Sequence, residues 1–149
     1  MQLYTADQTR KIDNLAIKRK NTSGYSLMQE AAEFSLNVLM QEYNDTNEII
    51  VFCAKGKNSG DGFLLASFAK EFGLSSYVVM CAPTKDLSGV CKKAFQTAKD
   101  SGVKIINLGS LNRIKVSKKA VLVDALIGTG LKGTLRTNIK KSILAINKL

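Results

Sequence analysis

The stretch Ile49-Ile50-Val51-Phe52-Cys53-Ala54-Lys55-Gly56-Lys57-Asn58-Ser59-Gly60-Asp61-Gly62 decides how the rest of the sequence is read. Its first half, Ile49 to Ala54, is apolar without the alternation of a half-exposed strand, the composition of a strand buried on both faces of a parallel sheet. The second half is glycine-rich and leads into a helical pattern over Gly62 to Phe72, closed by Gly73. A strand that runs through glycines into a helix turns backbone amides toward an anion. It is not a Walker loop, because no Gly-Lys-Ser/Thr closes it.

Downstream the same alternation continues. Tyr77 to Ala82 reads as a strand, and Ser88 to Ser101 as a helix carrying Val90, Cys91, Ala94, Phe95 and Ala98 at helical spacing before Gly102. Val103 to Ile106 and Ala120 to Leu126 read as strands, and Leu135 to Leu149 as a helix without a visible stop. Pro83 stands just beyond the second strand, where a turn is wanted. Upstream lie two helices. Thr5-Ala6-Asp7-Gln8 and Ser26-Leu27-Met28-Gln29 both fit the capping box, in which a hydroxyl and a Gln satisfy the free amides of a first turn. Ile12, Ala16 and Ile17 fall on one face of the first helix. Leu27, Met28, Ala31, Ala32, Ser35, Val38 and Leu39 do so on the second. The expected fold is α/β, a Rossmann-like three-layer sandwich with a mostly parallel sheet, preceded by two N-terminal helices. Residues 1–149 are expected to be one domain with its C-terminal part missing, since an open parallel sheet normally covers its last strand with more chain.

The 149 residues and 45% hydrophobic content suffice for one core. No window approaches a membrane span, and the N-terminus lacks the basic-then-apolar order of a secretion signal, so a cytoplasmic location is expected. Cys53, Cys81 and Cys91 have no metal-binding spacing and are expected to be reduced, packed thiols. The absence of histidine excludes Ser-His and Cys-His triads and His-ligated zinc. Chemistry here must use carboxylates, lysines, backbone amides or a metal with oxygen ligands. The net charge of +10 invites a polyanionic partner. Nucleic acid is the weakest reading, because Phe63, Phe68, Phe72 and Phe95 fall on apparent core faces and leave no stacking platform. The run Arg113, Lys115, Lys118, Lys119 reads as a solvated approach to the last strand.

Ligands of doubly wound sheets sit beyond the carboxyl ends of the strands. The loop there after the last strand reads Val123-Asp124-Ala125-Leu126-Ile127-Gly128-Thr129-Gly130-Leu131-Lys132-Gly133. Its G-x-G-x-x-G is not a dehydrogenase fingerprint, because it follows the fourth strand and no Asp or Glu occurs after Asp124 to hold a ribose. Glycine in either turn also serves tight packing, with Asp61 or Asp124 capping locally. Two such turns at one sheet edge, each with a lone acid amid lysines, favour a site.

Together Ile12-Asp13, Leu27-Met28, the turn at 55–62 and Val123 to Gly133 resemble the YjeF N-terminal family, the NAD(P)H-hydrate epimerases. The resemblance covers the whole chain in motif order. It implies an isomerase that interconverts the two C6 epimers of hydrated NADH and NADPH (NADHX and NADPHX), alongside a dehydratase in the same pathway or chain. Lys57, Asn58, Ser59, Gly60 and Asp61, with Gly128, Thr129, Gly130, Leu131, Lys132, Gly133 and Thr134, would then hold the substrate. Asn58 and Asp124 would hold a potassium ion, with Lys55 and Arg136 adding positive field. Asp61 and Lys132 are the acid-base candidates within the chain, the family's main catalytic carboxylate being expected beyond Leu149. A homodimer through the first helices is also implied. Lys57, Ser59 and Ala54 depart from the family's usual Asn, Gly and Gly. The first two motivate a second reading, a nucleotide-binding or scaffold module of the same fold that has lost activity.

Overall fold

The computed structural model describes residues 3–19, 22–131 and 133–149. Among these, β1 (Glu48–Cys53), β2 (Ser75–Met80), β3 (Lys104–Asn107) and β4 (Ala120–Ala125) form one parallel sheet in the order β3-β2-β1-β4. In the register, Cys53 lies beside Met80 on one side and Ala125 on the other. The winding reverses direction between β1 and β4, and both glycine-rich turns leave the sheet at that reversal. The fold is the expected Rossmann-like α/β sandwich.

Every residue of β1 is buried, Ile49 to Cys53 as their unbroken apolar run predicts and Glu48 in addition. Side chains alternate between two cores. Ile49, Val51 and Cys53 pack beneath α2 (Gly24–Glu42), α3 (Lys57–Glu71) and α4 (Gly89–Asp100). Ile50, Phe52 and Ala54 pack on the opposite face with Leu111 and with Ile139 of α5 (Thr137–Ile146). The connection from β3 to β4 is a 3-10 turn, Leu108–Arg113, and extended chain, with no α-helix. At the amino ends of the strands the buried Glu48 accepts the Ser117 N–H at 2.9 Å, and the Thr46 hydroxyl lies 2.6 Å from the Lys119 carbonyl. Arg113, Lys115, Lys118 and Lys119 are exposed as expected, Lys119 facing Asp45 at 3.5 Å.

The first capping box forms at the head of α1 (Ala6–Arg19): Thr5 N–H donates to Gln8 Oε1 at 2.8 Å, and Gln8 N–H to Thr5 Oγ1 at 3.3 Å. The second does not. Ser23, in extended conformation, caps α2 by accepting the Ser26 N–H, which leaves Ser26 inside the first turn. The buried face of α2 consists of Tyr25, Met28, Ala32, Leu36 and Leu39, while Ala31, Ser35 and Val38 point outward. No residue of α1 is buried, so Ile12 is largely exposed. Phe72, at the C-terminal end of α3, is 64% exposed, contrary to the core position its spacing predicts. Helix α5 stops at Ile146, short of the predicted extent.

The consequential difference is at α3, which begins at Lys57 and not at Gly62. The glycine turn is the first turn of a helix. Glycine is a poor helix former in solvent, but Ser59, Gly60 and Gly62 are buried here, and small size is what allows the helix to lie on the sheet. A Cβ on Gly62 would stand 2.5 Å from Ala125 Cβ and 3.0 Å from Cys53 Sγ. Gly62→Ala is therefore expected to destabilise the fold by about 1–3 kcal/mol through overpacking. Thermal denaturation beside Gly109→Ala, which enters open space, checks this; equal melting temperatures for the two variants would refute it.

Candidate functional site

The site is built where β1 and β4 end side by side. After β1, Gly56 takes φ 95°, a conformation glycine tolerates, and turns the chain into α3 without any side-chain cap. The leading amides of α3 thus lack the hydroxyl or carboxylate that would ordinarily accept from them, and they carry the positive end of the helix dipole.

Ser59 joins the two strand ends. Its buried hydroxyl accepts the Ala54 N–H and donates to the Ala125 carbonyl, both at 2.8 Å. Sequence reasoning placed Ser59 among the binding residues and missed this bridge. The available signal was a hydroxyl at a turn position where only a small side chain fits.

Gly128 lies against Asn58: a Cβ built on it would be 3.3 Å from Asn58 Cβ and 4.0 Å from Asn58 Oδ1. The two predicted turns are thereby brought together. Asp124, exposed at the end of β4, accepts the Leu126 N–H on Oδ1 at 2.9 Å and so shapes the start of its turn. Thr129, Gly130, Leu131, Gly133 and Thr134 form an exposed segment. Lys132 lies outside the described residues. Lys55, Lys57 and Arg136 are exposed around this edge.

Asp61 sits in the first turns of α3, where burial pushes its carboxyl up to about 6; the negative charge of Asp13 on α1 adds to the rise and Lys57 opposes it. Asp13 is a neighbour that sequence reasoning assigned no role. Beneath this turn Gly60 abuts Met28, whose Sδ would be 2.6 Å from an added Cβ, and the Cα of Cys91 would be 3.5 Å away. All three cysteines are free and buried, and burial raises each thiol above its usual range, which makes them packing groups and poor nucleophiles.

Residues 24–149 match the family described as YjeF-related protein N-terminus. The chain belongs to that family. Its relatives include a bifunctional NAD(P)H-hydrate repair enzyme of Coxiella burnetii, 34% identical over 146 residues that make up 98% of this chain and 29% of that protein. An NAD(P)H-hydrate epimerase of Rhodopirellula baltica is 29% identical, the match covering 96% of this chain and 59% of the relative. One of Elusimicrobium minutum is 30% identical over 99% and 70%. The chain thus spans less than two thirds of the first two relatives. The crystal structure of yeast ynu0 superimposes with a TM-score of 0.75 at 20% identity, over 99% of this chain and 65% of that one, a likeness of fold. The YjeF N-terminal motifs and the two turns at the sheet edge coincide in this chain. Among the described residues no helix is long and apolar enough to cross a membrane.

Two measurements check the site's energetics. Ser59→Ala leaves a buried N–H and C=O without the partner they share, and is expected to cost about 1–3 kcal/mol in denaturant unfolding; an unchanged midpoint would show the bridge to be dispensable. The folded Asp61 binds its proton more tightly than the ordinary value of 3.8. Its stabilising contribution is therefore fully present below about pH 4 and lost as pH rises through about 6. Between those limits wild-type stability is expected to fall relative to Asp61→Asn, and parallel pH profiles would contradict the assignment.

Proposed function

We propose that this chain is the dinucleotide-holding part of an NAD(P)H-hydrate epimerase, acting on the C6 epimers of NADHX and NADPHX. The observation that carries the reading is the meeting of the uncapped α3 N-terminus with the Gly128 turn at Asn58, at the point where the sheet's winding reverses. The activities for which the relatives are named support it.

In this reading the diphosphate rests on the amides of Lys57, Asn58 and Ser59, with Gly128 to Thr134 closing over it and Lys132 contributing from that segment. Glycine at 128 lets the backbone approach Asn58, whose side chain an added Cβ would crowd. Asp61 is the acid-base candidate, and Lys132 is the second by sequence. A carboxyl held near 6 both gives and accepts protons close to neutral pH. Epimerisation returns the proton it borrows and changes neither mass nor oxidation state, so a group that cycles is sufficient.

Potassium suits the donor set. Among the described residues no three His, Cys, Asp or Glu side chains converge as a divalent or soft metal would want. Asn58 and Asp124 offer amide and carboxylate oxygens, which with backbone carbonyls suit a large monovalent cation. Such an ion would supply positive charge beside the diphosphate. A partner dehydratase, in the same polypeptide or separate, would consume one epimer, and the exposed helix α1 is free to take part in a homodimer. A cytoplasmic site of action fits nicotinamide-nucleotide repair.

The inert-module reading loses one support. Ser59 occupies a helical position with its hydroxyl satisfied, so its departure from glycine needs no strained backbone. Lys57 remains, as an exposed cation at the first helical position.

A coupled assay tests the proposal: full-length protein, both epimers of hydrated NADH, and a dehydratase specific for one of them, with and without potassium. Complete consumption accelerated by potassium is expected, with Asp61→Asn slowing turnover about 100-fold and Asp124→Asn reducing the potassium response. Consumption that halts at the dehydratase's own epimer would overturn the epimerase reading in favour of the inert module.

A further inference from the structure

Cys81, the first residue beyond β2, donates its N–H to the Cys53 carbonyl at 2.8 Å. The chain leaving β2 therefore stands one strand spacing from the exit of β1, and α4, which follows, touches the first turn of α3 where Cys91 faces Gly60. Between the 3-10 turn Thr84–Asp86 and the first turns of α4 is an open cavity of about 670 Å³. Leu87 and Phe95 give it an apolar wall, and Lys85, Lys92, Lys93 and Gln96 are among its polar lining. No carboxylate lines it; Asp86, in the same turn, is exposed and outside the lining.

In a sheet wound in this order, a dinucleotide with its diphosphate at the helix after the first strand places its adenosine over the end of the second. An acid there holds a free ribose hydroxyl, and a cation accommodates a 2′-phosphate. This chain presents cations. We propose that the pocket receives the 2′-phosphate of the adenosine ribose, so that the site favours NADPHX over NADHX. The proposal rests on the dinucleotide reading above. Lys93 is already engaged, its ammonium 4.0 Å over the ring of Tyr25. Lys85 and Lys92 therefore carry the discrimination, one from each wall of the cavity.

The test is calorimetric titration of full-length protein with adenosine 2′,5′-bisphosphate and with AMP at low salt, for wild type and for Lys85→Ala/Lys92→Ala. Turnover of NADHX is measured in parallel. Wild type is expected to bind the bisphosphate about tenfold more tightly than AMP, the size of a modest charged contact. The double variant loses that preference and keeps its NADHX turnover, while Lys85→Arg retains the preference. Equal affinities in wild type, no binding of either probe, or a preference that survives the double substitution would overturn the pocket assignment. Absence of NADHX turnover in wild type would instead overturn the epimerase reading, and the two probes still decide the pocket by themselves.

Discussion

The Ser59 hydroxyl, held between the Ala54 N–H and the Ala125 carbonyl, is the contact on which the architecture of this edge depends. Parallel strands leave the ends of their ladders unsatisfied, and at a winding reversal two neighbouring strands depart toward opposite faces. A gap opens between them. In this chain one buried side chain closes it by taking a donor from one strand end and an acceptor from the other. Because Ser59 lies in the first turn of α3, the same contact fixes where that helix begins. The direction of its leading amides, and the place of Asn58 against Gly128, follow from it.

The electrostatics of the site depend on this placement. A helix whose cap is a glycine brings no side-chain acceptor to its own amides, so its positive end stays available to an anion. Lys55 and Lys57 reinforce it from the surface. The same seating buries Asp61, whose carboxyl is raised first by desolvation and then by Asp13 from α1. Helix α1, with no buried residue of its own, thus influences the site through charge. An anion-attracting helix end and a carboxylate that resists ionisation are two results of one helix position.

The sheet was legible in the sequence because β1 is apolar without interruption over a length too short for a buried helix, and strands of the same kind recur after each helical pattern. The turns stood out as a candidate site because glycine is conspicuous. Their conformation was not legible. Gly60 and Gly62 argue against a helix on propensity, and the structure overrides propensity by burying them, Gly60 against the Met28 side chain and Gly62 where Ala125 leaves no room for a Cβ. The face of α2 was misread on similar grounds. A helix with apolar residues nearly all round offers more than one seam, and the choice of Tyr25, Met28, Ala32, Leu36 and Leu39 was made by α3 and α4, to which Tyr25 is tied through its hydroxyl contact with Thr97. The cap was misplaced because two serines three residues apart present the same signal, and only a start before Tyr25 brings that residue into the helix. The pairing of Asn58 with Gly128 depends on strand order, which periodicity does not reveal.

Because the contacts that seat α3 also shape the candidate site, the residues there divide into two kinds. Ser59, Gly60 and Gly62 are buried in the packing between helix and sheet, and a change at any of them disturbs the fold together with the candidate site. Lys57 and Lys85 are exposed, and their substitution alters charge with little effect on packing, whereas the exposed Asp124 also holds the Leu126 N–H. Asp61 belongs to neither group, since its partial burial couples its proton to stability as well as to any chemistry. Family likeness in the glycine turn is therefore a weaker sign of retained activity than it looks, because a chain keeping only the fold would still need small residues at 59, 60 and 62. More discriminating are positions outside that helix-sheet packing, such as Asn58, Asp124 and Gly130, the last a glycine whose added Cβ would meet open space.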